Sequence, residues 1–271
     1  MIAFANAKIN LGLYVTERRP DGFHNIESIF LPVSLCDVVE AVRTSGEGIS
    51  FSTQGRPIDG AIESNLCVKA YRLLQRDFLL GGVEATMLKH VPIGAGLGGG
   101  SSDGAHMLKI LNTLFELNLS SHQLRDYAAQ LGSDCPFFID NKPCFVHGRG
   151  ELIDPIALPS IDTHVVIIHP GIHVGTADAY RGIRPSPATF DLRLLGELPR
   201  DQWQVTVRND FESVVFALHP SIASLKATLI DQGAWYCSMS GSGSAVFAFF
   251  DERAELVGIE PTYFVHWGRI I

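Results

Sequence analysis

Long hydrophobic runs are absent from this sequence. No apolar stretch approaches the roughly 18–20 residues that a membrane-spanning helix needs, and the N-terminal MIAFANAKIN lacks the basic start and apolar stretch of a signal peptide. Cysteine is scarce as well: the five residues are an odd number and none has C-x-x-C spacing, which disfavours a zinc site and favours a reducing compartment. We therefore expect a cytoplasmic protein without membrane contact.

Positive charge is also in short supply. The 21 Lys and Arg residues are outnumbered by 29 Asp and Glu residues, which leaves a formal net charge of −8 and disfavours nucleic acid as a partner. A small anionic ligand is still compatible with this charge, because a few local donors can dominate a site. The 271 residues, 46% of them hydrophobic, suffice for one large or two small domains. The sequence leaves both a monomer and a homodimer open.

Strand and helix patterns are mixed along the whole chain. Residues 4–11 alternate polar and apolar side chains as a strand does, and PDGFHN at 20–25 predicts a turn before more strand. The remaining patterns predict strands at 83–93 and 163–171, a strand pair within 237–250, and helices at 65–78, 102–117, 121–131, 208–218 and 221–232. With a linker predicted at 155–162, we expect an α+β architecture of two domains, 1–154 and 155–271, with a cleft between them.

A glycine-rich stretch, VPIGAGLGGGSSDGA at 91–105, leads from a predicted strand into a predicted helix. Glycine loses more backbone entropy on folding than any other residue, so a cluster of glycines needs a reason. Backbone N–H groups at the positive end of a helix can hold a phosphate chain, and a missing Cβ lets the phosphates approach. Ser101, Ser102 and Asp103 are predicted to cap the helix, and the two serines to add hydroxyl donors.

Two well-known phosphate loops fit this stretch poorly. The Walker A pattern requires Gly-Lys-Ser/Thr, and no lysine precedes Ser101. The dinucleotide fingerprint G-x-G-x-x-G is present at Gly94, Gly96 and Gly99, but the strand before it alternates with polar residues, and Glu116 ends a long helix rather than a second strand. A dinucleotide-binding reductase and a non-catalytic nucleotide-binding module are kept as alternative functions.

The stretch resembles the phosphate loop of the GHMP kinases, a family named after galacto-, homoserine, mevalonate and phosphomevalonate kinases. The matching residues are Pro92, Gly94, Gly96, Leu97, Gly98, Gly99, Gly100, Ser101 and Ser102. NAKINL at 6–11 and SMSGSGSAVF at 238–247 resemble two further motifs of the family. The resemblance implies an N-terminal part like domain 2 of ribosomal protein S5 and a ferredoxin-like C-terminal part, with ATP and Mg²⁺ as ligands. The implied ATP-binding residues are Pro92, Ile93, Gly94, Ala95, Gly96, Leu97, Gly98, Gly99, Gly100, Ser101 and Ser102.

Four stretches resemble one branch of that family, whose substrate is 4-diphosphocytidyl-2-C-methyl-D-erythritol. They are residues 7–30, LGSDCPFFI at 131–139, GRGE at 148–151 and RNDFE at 208–212. The resemblance implies transfer of the γ-phosphate of ATP to the 2-hydroxyl of this cytidine diphosphate ester, a step of the non-mevalonate route to isoprenoids. Another GHMP kinase, of the homoserine or mevalonate type, is the main alternative.

The resemblance also implies roles for single residues. Asp134 is implied as the general base that takes the proton of the attacking hydroxyl, and Lys8 as the cation that assists it. From the residues alone, Ser133-Asp134 before Pro136 predicts a helix cap instead. Ser102 or Asp103 lies near enough to the loop to touch Mg²⁺, although no metal ligand is singled out. The implied substrate-binding residues are Asn10 for the polyol and Phe23, His24, Thr176 and Tyr180 for the cytosine.

Overall fold

The computed structural model describes residues 1–158 and 161–271, which divide into two compact units. Unit 1 consists of Met1–Ala7, Leu35–Ile93 and Gly98–Lys142, and unit 2 of Lys8–Ser34, Gly94–Leu97 and Pro143–Ile271. This division does not follow the expected boundary between residues 154 and 155, because strands β1 (Ile2–Arg18) and β2 (His24–Thr44) are long enough to belong to both units. Of the predicted linker at 155–162, residues 159 and 160 lie outside the described residues, and Pro155 ends a strand.

Unit 1 combines part of a mixed sheet with four helices. β2 pairs antiparallel with β4 (Gly82–Lys89), which runs parallel to β3 (Ile49–Gly55). A 3₁₀ turn at Ile62–Ser64 and helix α1 (Leu66–Asp77) connect β3 to β4. Helix α2 packs against the other three helices; the bounds are α2 (Gly99–Leu114), α3 (Ser121–Leu131) and α4 (Phe137–Asp140). Antiparallel pairing of the strand before the glycine loop differs from a doubly wound dinucleotide-binding fold, whose sheet is mostly parallel.

Unit 2 contains a second sheet with the strand order β10–β7–β9–β8. Its strands are β7 (His164–His169), β8 (Tyr236–Met239), β9 (Val246–Phe250) and β10 (Phe264–Gly268), and every neighbouring pair is antiparallel. The connectivity is ferredoxin-like, as predicted, with helices between β7 and β8. Residues 251–263, all of them described, connect β9 to β10 without a helix. A hairpin of β5 (Cys144–His147) and β6 (Leu152–Pro155) pairs with residues 28–30 of β2.

The helices of unit 2 cover its antiparallel sheet. Their bounds are α5 (Thr176–Gly182), α6 (Trp203–Thr206), α7 (Phe211–Leu218) and α8 (Pro220–Asp231), with 3₁₀ turns at Leu192–Glu197 and Arg200–Gln202. Helix α8 packs on β8 and β9 and buries Ile222, Leu225 and Leu229 in the core of the unit. Among the described residues, no single helix has the length and apolarity to cross a membrane, and only α7 and α8 together, bent by 115°, meet that criterion.

Local sequence signals explain several element ends. The side chain of Asn65 accepts a hydrogen bond from the backbone N–H of Cys67 at 2.9 Å and starts α1, close to the predicted start at 65. Helix α3 has the predicted bounds, with a capping box formed by Ser120 and Gln123 and with Gly132 at its C-terminus. Strand β4 ends at Lys89 and not at residue 93, because residues 90–93 already belong to the glycine loop.

Candidate active site

The glycine loop runs from the end of β4 at Lys89 to the start of α2 at Gly99. Gly98, with a φ of 69°, is the N-cap, so the chain turns through a left-handed conformation directly into the helix. The prediction that Ser101, Ser102 and Asp103 cap this helix is therefore wrong. These residues lie inside its first turns, and no side chain caps it. The helix also ends at Leu114, three residues before the predicted end at 117.

Packing against the protein backbone requires glycine at position 96. It has a φ of 77°, and a Cβ there would lie 1.9 Å from the carbonyl oxygen of Ser240. The Ser240 hydroxyl donates to the carbonyl of Gly96 at 2.8 Å, and the N–H of Ala245 donates to the carbonyl of Ala95 at 3.2 Å. The glycine-serine motif at 238–247 thus fixes the middle of the loop, and its close approach is by itself sufficient to require glycine at position 96.

The open face of the loop lies at Gly100. Gly100 is exposed, and a Cβ added there would meet no atom within 4 Å. The first N–H groups of a helix have no acceptor inside the helix and carry the positive end of its dipole, so this face suits a phosphate. Other predicted ATP contacts differ in access: Ile93 and Gly94 are exposed, Gly98 and Ser101 half-buried, and Pro92, Ala95, Leu97, Gly99 and Ser102 buried.

Ser102 points away from that open face. Its side chain is fully buried, and its Oγ lies 3.2 Å from Nδ1 of His106, one turn further along α2. The same Nδ1 lies 2.9 Å from the backbone carbonyl of Ser102. Burial lowers the pKa of His106 to about 4, so this imidazole is neutral at pH 7. The Ser102 hydroxyl therefore serves the helix interior, while its backbone N–H donates to Gly98.

Lys8 is held inside unit 2 by polar neighbours and an aromatic ring. It is 3% exposed, its Nζ donates to Oδ1 of Asn10 at 2.5 Å, and the Nζ lies 4.3 Å from the centroid of the Phe30 ring. The backbone N–H of Lys8 donates to the carbonyl of Leu97 in the glycine loop at 2.9 Å. An ammonium is almost never buried without such partners. The predicted catalytic lysine is therefore a fixed, desolvated cation next to the loop.

Asn10, predicted to bind the polyol, positions Lys8 in this structure. Its Oδ1 accepts from Lys8 and, at 3.4 Å, from the hydroxyl of Ser240, and its Nδ2 donates to Ser28 Oγ at 2.9 Å. The Ser28 hydroxyl in turn donates a hydrogen bond to the backbone carbonyl of Gly12 at 2.6 Å. The sequence reading missed Ser28 and Ser240, although Ser240 lies in a motif that had been singled out.

The RNDFE stretch supports the same motif. Nδ2 of Asn209 donates to the carbonyls of Met239 and Gly241 at 2.7 and 2.9 Å, and its Oδ1 accepts from the N–H of Phe211 at 3.0 Å. Asn209 is 3% exposed, so these bonds are shielded from water. The sequence singled out this stretch only through its resemblance to the family. In the structure, Asn209 supports the backbone of the glycine-serine motif.

Asp134 lies half-buried in the turn between α3 and α4. The N-cap of α4 is Pro136 and no side chain caps it, so the reading of Asp134 as a helix cap is wrong. The backbone N–H of Cys135 donates to the carbonyl of Gly132 at 3.1 Å and tightens the turn. Burial raises the pKa of the Cys135 thiol to about 12; a hydrogen bond with Ser101 lowers it and the charge of Asp134 raises it further.

A reciprocal amide pair fixes the end of α4. Nδ2 of Asn6 donates to Oδ1 of Asn141 at 3.1 Å, and Nδ2 of Asn141 donates to Oδ1 of Asn6 at 2.8 Å. Asn141 has a φ of 53° and ends the helix that follows the Asp134 turn. Asn6 precedes Lys8 by two positions in β1, so the two side chains project from the same face of the strand. The sequence gave no signal for Asn141.

The predicted cytosine-binding residues form two aromatic contacts in unit 2. Phe23 is 56% exposed in the turn between β1 and β2, and the guanidinium of Arg149, in the GRGE stretch, lies 5.1 Å from its ring centroid. His24 stacks on Tyr180 with centroids 4.9 Å apart and planes inclined by 20°. The hydroxyl of Thr176 lies 3.3 Å from that of Ser242. Tyr180 thus covers one face of the His24 ring.

Comparison with known proteins identifies the family. The GHMP kinases N terminal domain matches residues 65–149, and the GHMP kinases C terminal domain matches residues 186–258. A 4-diphosphocytidyl-2-C-methyl-D-erythritol kinase of Bacteroides thetaiotaomicron is 49% identical over 259 residues, which cover 94% of each chain. A crystal structure of a 4-(cytidine 5'-diphospho)-2C-methyl-D-erythritol kinase is 34% identical with a TM-score of 0.77, over 92% of this chain and 90% of that chain.

More distant members share the fold alone. A homoserine kinase from Cytophaga hutchinsonii is 19% identical with a TM-score of 0.68, over 98% of this chain and 94% of that chain. The higher identity to the kinases of the cytidine diphosphate ester extends over nearly the full length of both chains. The chain therefore belongs to the GHMP kinase family and, within it, to the 4-diphosphocytidyl-2-C-methyl-D-erythritol kinases.

Proposed function

We propose that this protein transfers the γ-phosphate of ATP to the 2-hydroxyl of 4-diphosphocytidyl-2-C-methyl-D-erythritol. The observation that carries the proposal is the open backbone face at Gly100, where the glycine loop enters the N-terminus of the 16-residue helix α2. A phosphate chain on this face is met by backbone N–H groups and by the positive end of the helix dipole. Family membership supports the substrate, which the geometry of the loop does not select.

The proton of the attacking hydroxyl goes to Asp134 in this proposal. Phosphoryl transfer depends mainly on positioning and on stabilising negative charge, and a carboxylate near the hydroxyl takes its proton as the oxygen attacks phosphorus. Lys8 supplies the fixed positive charge that offsets the charge on the transferring phosphoryl group. The contact from Lys8 to Asn10 supports this role, because it holds the ammonium in one orientation.

Cytosine recognition is assigned to Phe23 and His24. Burial lowers the pKa of His24, with a smaller contribution from the charge of Arg18, so the imidazole is neutral at pH 7 and offers one donor and one acceptor. Cytosine carries an amino donor beside ring and carbonyl acceptors, which a neutral imidazole matches. Phe23 offers the stacking surface, and Tyr180 supports His24 from behind by stacking on its ring.

Magnesium enters this proposal as part of the Mg–ATP complex. Mg²⁺ usually keeps several waters and binds through substrate phosphates plus one or two protein oxygens. The two residues considered for it point elsewhere: Ser102 Oγ lies beside His106, and Oδ2 of Asp103 accepts from the ammonium of Lys89 at 2.6 Å. We therefore assign no protein ligand to the ion and base no step on one.

Cellular setting and assembly are further parts of the proposal. All five cysteines are free thiols, which suits the reducing cytoplasm that we expected. The protein is proposed to act as a monomer or a homodimer. Light scattering on the purified protein at several concentrations distinguishes the two, and a larger assembly contradicts both.

A coupled assay of ADP release tests the proposed function. The panel contains the cytidine diphosphate ester, homoserine, galactose and mevalonate, each with Mg–ATP. We expect turnover with the ester alone. Turnover with homoserine or mevalonate instead contradicts the substrate assignment, and ATP binding without turnover on any alcohol indicates a nucleotide-binding module. Stabilisation against heat by NAD(P) but not by ATP supports the reductase alternative.

A further inference from the structure

A buried charge cluster joins the two ends of the glycine loop. We define it as Asp37 of β2, Lys89 at the end of β4 and Asp103 in α2, each at most 4% exposed. The ammonium of Lys89 donates to Oδ2 of Asp37 at 2.5 Å and to Oδ2 of Asp103 at 2.6 Å. One cation therefore connects the strand that precedes the loop with the helix that follows it.

The cluster also holds the first residues of the loop. Oδ1 of Asp37 accepts hydrogen bonds from the backbone N–H groups of His90 and Val91 at 2.6 and 2.8 Å. These two residues follow Lys89 directly, so Asp37 fixes the path of the chain as it leaves β4. Charge-assisted hydrogen bonds of this kind are stronger and more directional than neutral ones.

Packing brings the far end of the loop to the same place. A Cβ at Gly99, the first residue of α2, would lie 3.2 Å from Nζ of Lys89 and 2.9 Å from Cγ1 of Val91. A side chain at Gly99 would push the helix away from the strand. The absence of one lets α2 start against Lys89, and the bond to Asp103 holds it there.

Stability alone is a weak reason for such a cluster. Removing three charged groups from water costs several kcal/mol per ion, and well-packed apolar residues often replace buried ion pairs without loss. Within the described part of the chain, Oδ1 of Asp103 is buried and has no hydrogen-bond partner. The cluster is therefore poorly optimised for stability, while its geometry fixes three segments around the loop.

We propose that Asp37, Lys89 and Asp103 are positioning residues of the nucleotide site, which hold the two ends of the glycine loop at the separation that phosphate binding requires. The inference rests on the proposed function, because it assumes that the loop binds the phosphates of ATP. None of the three side chains needs to touch the nucleotide. The cluster acts by fixing the direction of the backbone N–H groups that do.

Substitutions at Asp103 separate spacing from charge. Asp103→Asn keeps an oxygen acceptor for Lys89 at the same distance, Asp103→Glu keeps the charge but lengthens the arm, and Asp103→Ala removes the link. We expect the dissociation constant of adenylyl imidodiphosphate, measured by calorimetry, to rise about tenfold in the Ala and Glu variants and to change less than about twofold in the Asn variant. The KM for the alcohol and kcat at saturating ATP stay close to wild type.

Tyr71→Phe is the matched control. It removes a partly buried hydrogen bond of 2.9 Å from helix α1 to the carbonyl of Gly81, which lies in the same unit at the opposite end of β4 from the loop. A lower melting temperature with unchanged nucleotide affinity is expected. Asp103→Ala behaving in the same way would show a structural role only and overturn the inference.

The remaining outcomes are equally informative. If Asp103→Ala does not fold, the Glu and Asn variants decide. Equal affinity of these two variants for adenylyl imidodiphosphate contradicts a role of spacing. Tighter binding than wild type in the Asn variant, with no loss of affinity in the Glu variant, contradicts it as well. Wild-type protein that fails to bind adenylyl imidodiphosphate contradicts the proposed function itself. Wild-type binding together with unchanged affinity in all Asp103 variants contradicts the positioning role alone.

Discussion

At the scale of single residues, the polar side chains of β1 explain how a lysine is retained in a buried strand. Lys8 gains an amide oxygen and an aromatic face, and Asn10 gains partners on both of its polar ends. Each partner offsets part of the cost of removing a polar group from water. The result is a charge whose position is set before substrate arrives, which is the condition for electrostatic catalysis.

Asp134→Asn tests the proposed base. The amide keeps the size of the side chain and cannot take a proton, so kcat is expected to fall by roughly 10²–10⁴ while the affinity for ATP stays nearly unchanged. Single-turnover kinetics and calorimetry with adenylyl imidodiphosphate measure the two quantities separately. Unchanged turnover would remove Asp134 from the mechanism, and a parallel loss of ATP affinity would indicate a disturbed loop.

The sequence singled out candidate site residues, whose roles stay predictions, but it did not indicate their contacts. The motifs located Lys8, Gly96 and Asp134, because each lies in a stretch with a recognisable pattern. The contact between Asn10 and Ser240 spans 230 positions, and the inward direction of Ser102 depends on His106. Contacts of this kind follow from tertiary packing, which periodicity and spacing do not encode.

At the scale of elements, the start of α2 shows how backbone conformation can replace side-chain capping. Serine and aspartate favour N-caps on average, and this preference misplaced the start of the helix. The left-handed turn at Gly98 begins the helix at Gly99, and no side chain accepts a hydrogen bond from its first N–H groups. A side-chain cap would have used one of those donors, so its absence favours anion binding.

Two glycine substitutions, one in the loop and one in the first turn of α2, are expected to have opposite effects on the free energy of unfolding. Gly100→Ala places a methyl group in open space on a helix, which should raise the free energy of unfolding by about 0.5 kcal/mol because the unfolded chain loses freedom. The same methyl group lies on the proposed phosphate face, so the affinity for ATP should fall about tenfold or more.

Gly96→Ala is the partner of that test. A Cβ 1.9 Å from the carbonyl oxygen of Ser240, on a residue with a φ of 77°, forces the backbone apart. We expect a loss of more than about 2 kcal/mol in the free energy of unfolding. Chemical denaturation measures both variants. A destabilised Gly100→Ala, or one with wild-type ATP affinity, would contradict the open face.

At the scale of the whole molecule, the strand order lay beyond the sequence. Sequence patterns predicted most of the strands, and the family resemblance implied the ferredoxin-like part. The strands β3, β5, β6 and β10 were not predicted. β5 and β6 have four residues each, which is too short for a period of two to stand out. The expected domain boundary between residues 154 and 155 stays a prediction. β1 and β2 contribute to both compact units, so no composition change marks the division between these units.

The pH dependence of stability reports on the buried charge cluster. Burial is the main cause that raises the pKa of Asp103 from 3.8 to about 7; Lys89 opposes it and Asp37 adds to it. The folded state then binds more protons than the unfolded state between these two values, so the contribution of Asp103 to the free energy of unfolding falls as the pH rises through about 7.

Asp103→Asn removes this titration. The melting temperature of the variant relative to wild type should therefore increase between about pH 5 and pH 8. His106 acts in the opposite direction, because its lowered pKa costs stability as the pH falls below 6.5, and it cancels in the comparison since both proteins carry it. A difference that stays constant across this range would contradict the raised pKa of Asp103.

The interleaving of the two units along the chain has a consequence for biosynthesis. Every segment of unit 1 has been synthesised once residue 142 is added, whereas unit 2 begins at Lys8 and also needs the residues from Pro143 to Ile271. The N-terminal segment that carries Lys8 and Phe23 is therefore made well before residues 143–271, which complete its unit. No single cut in the gene separates the two units, because segments of unit 2 lie on both sides of residues 35–93 and 98–142 of unit 1.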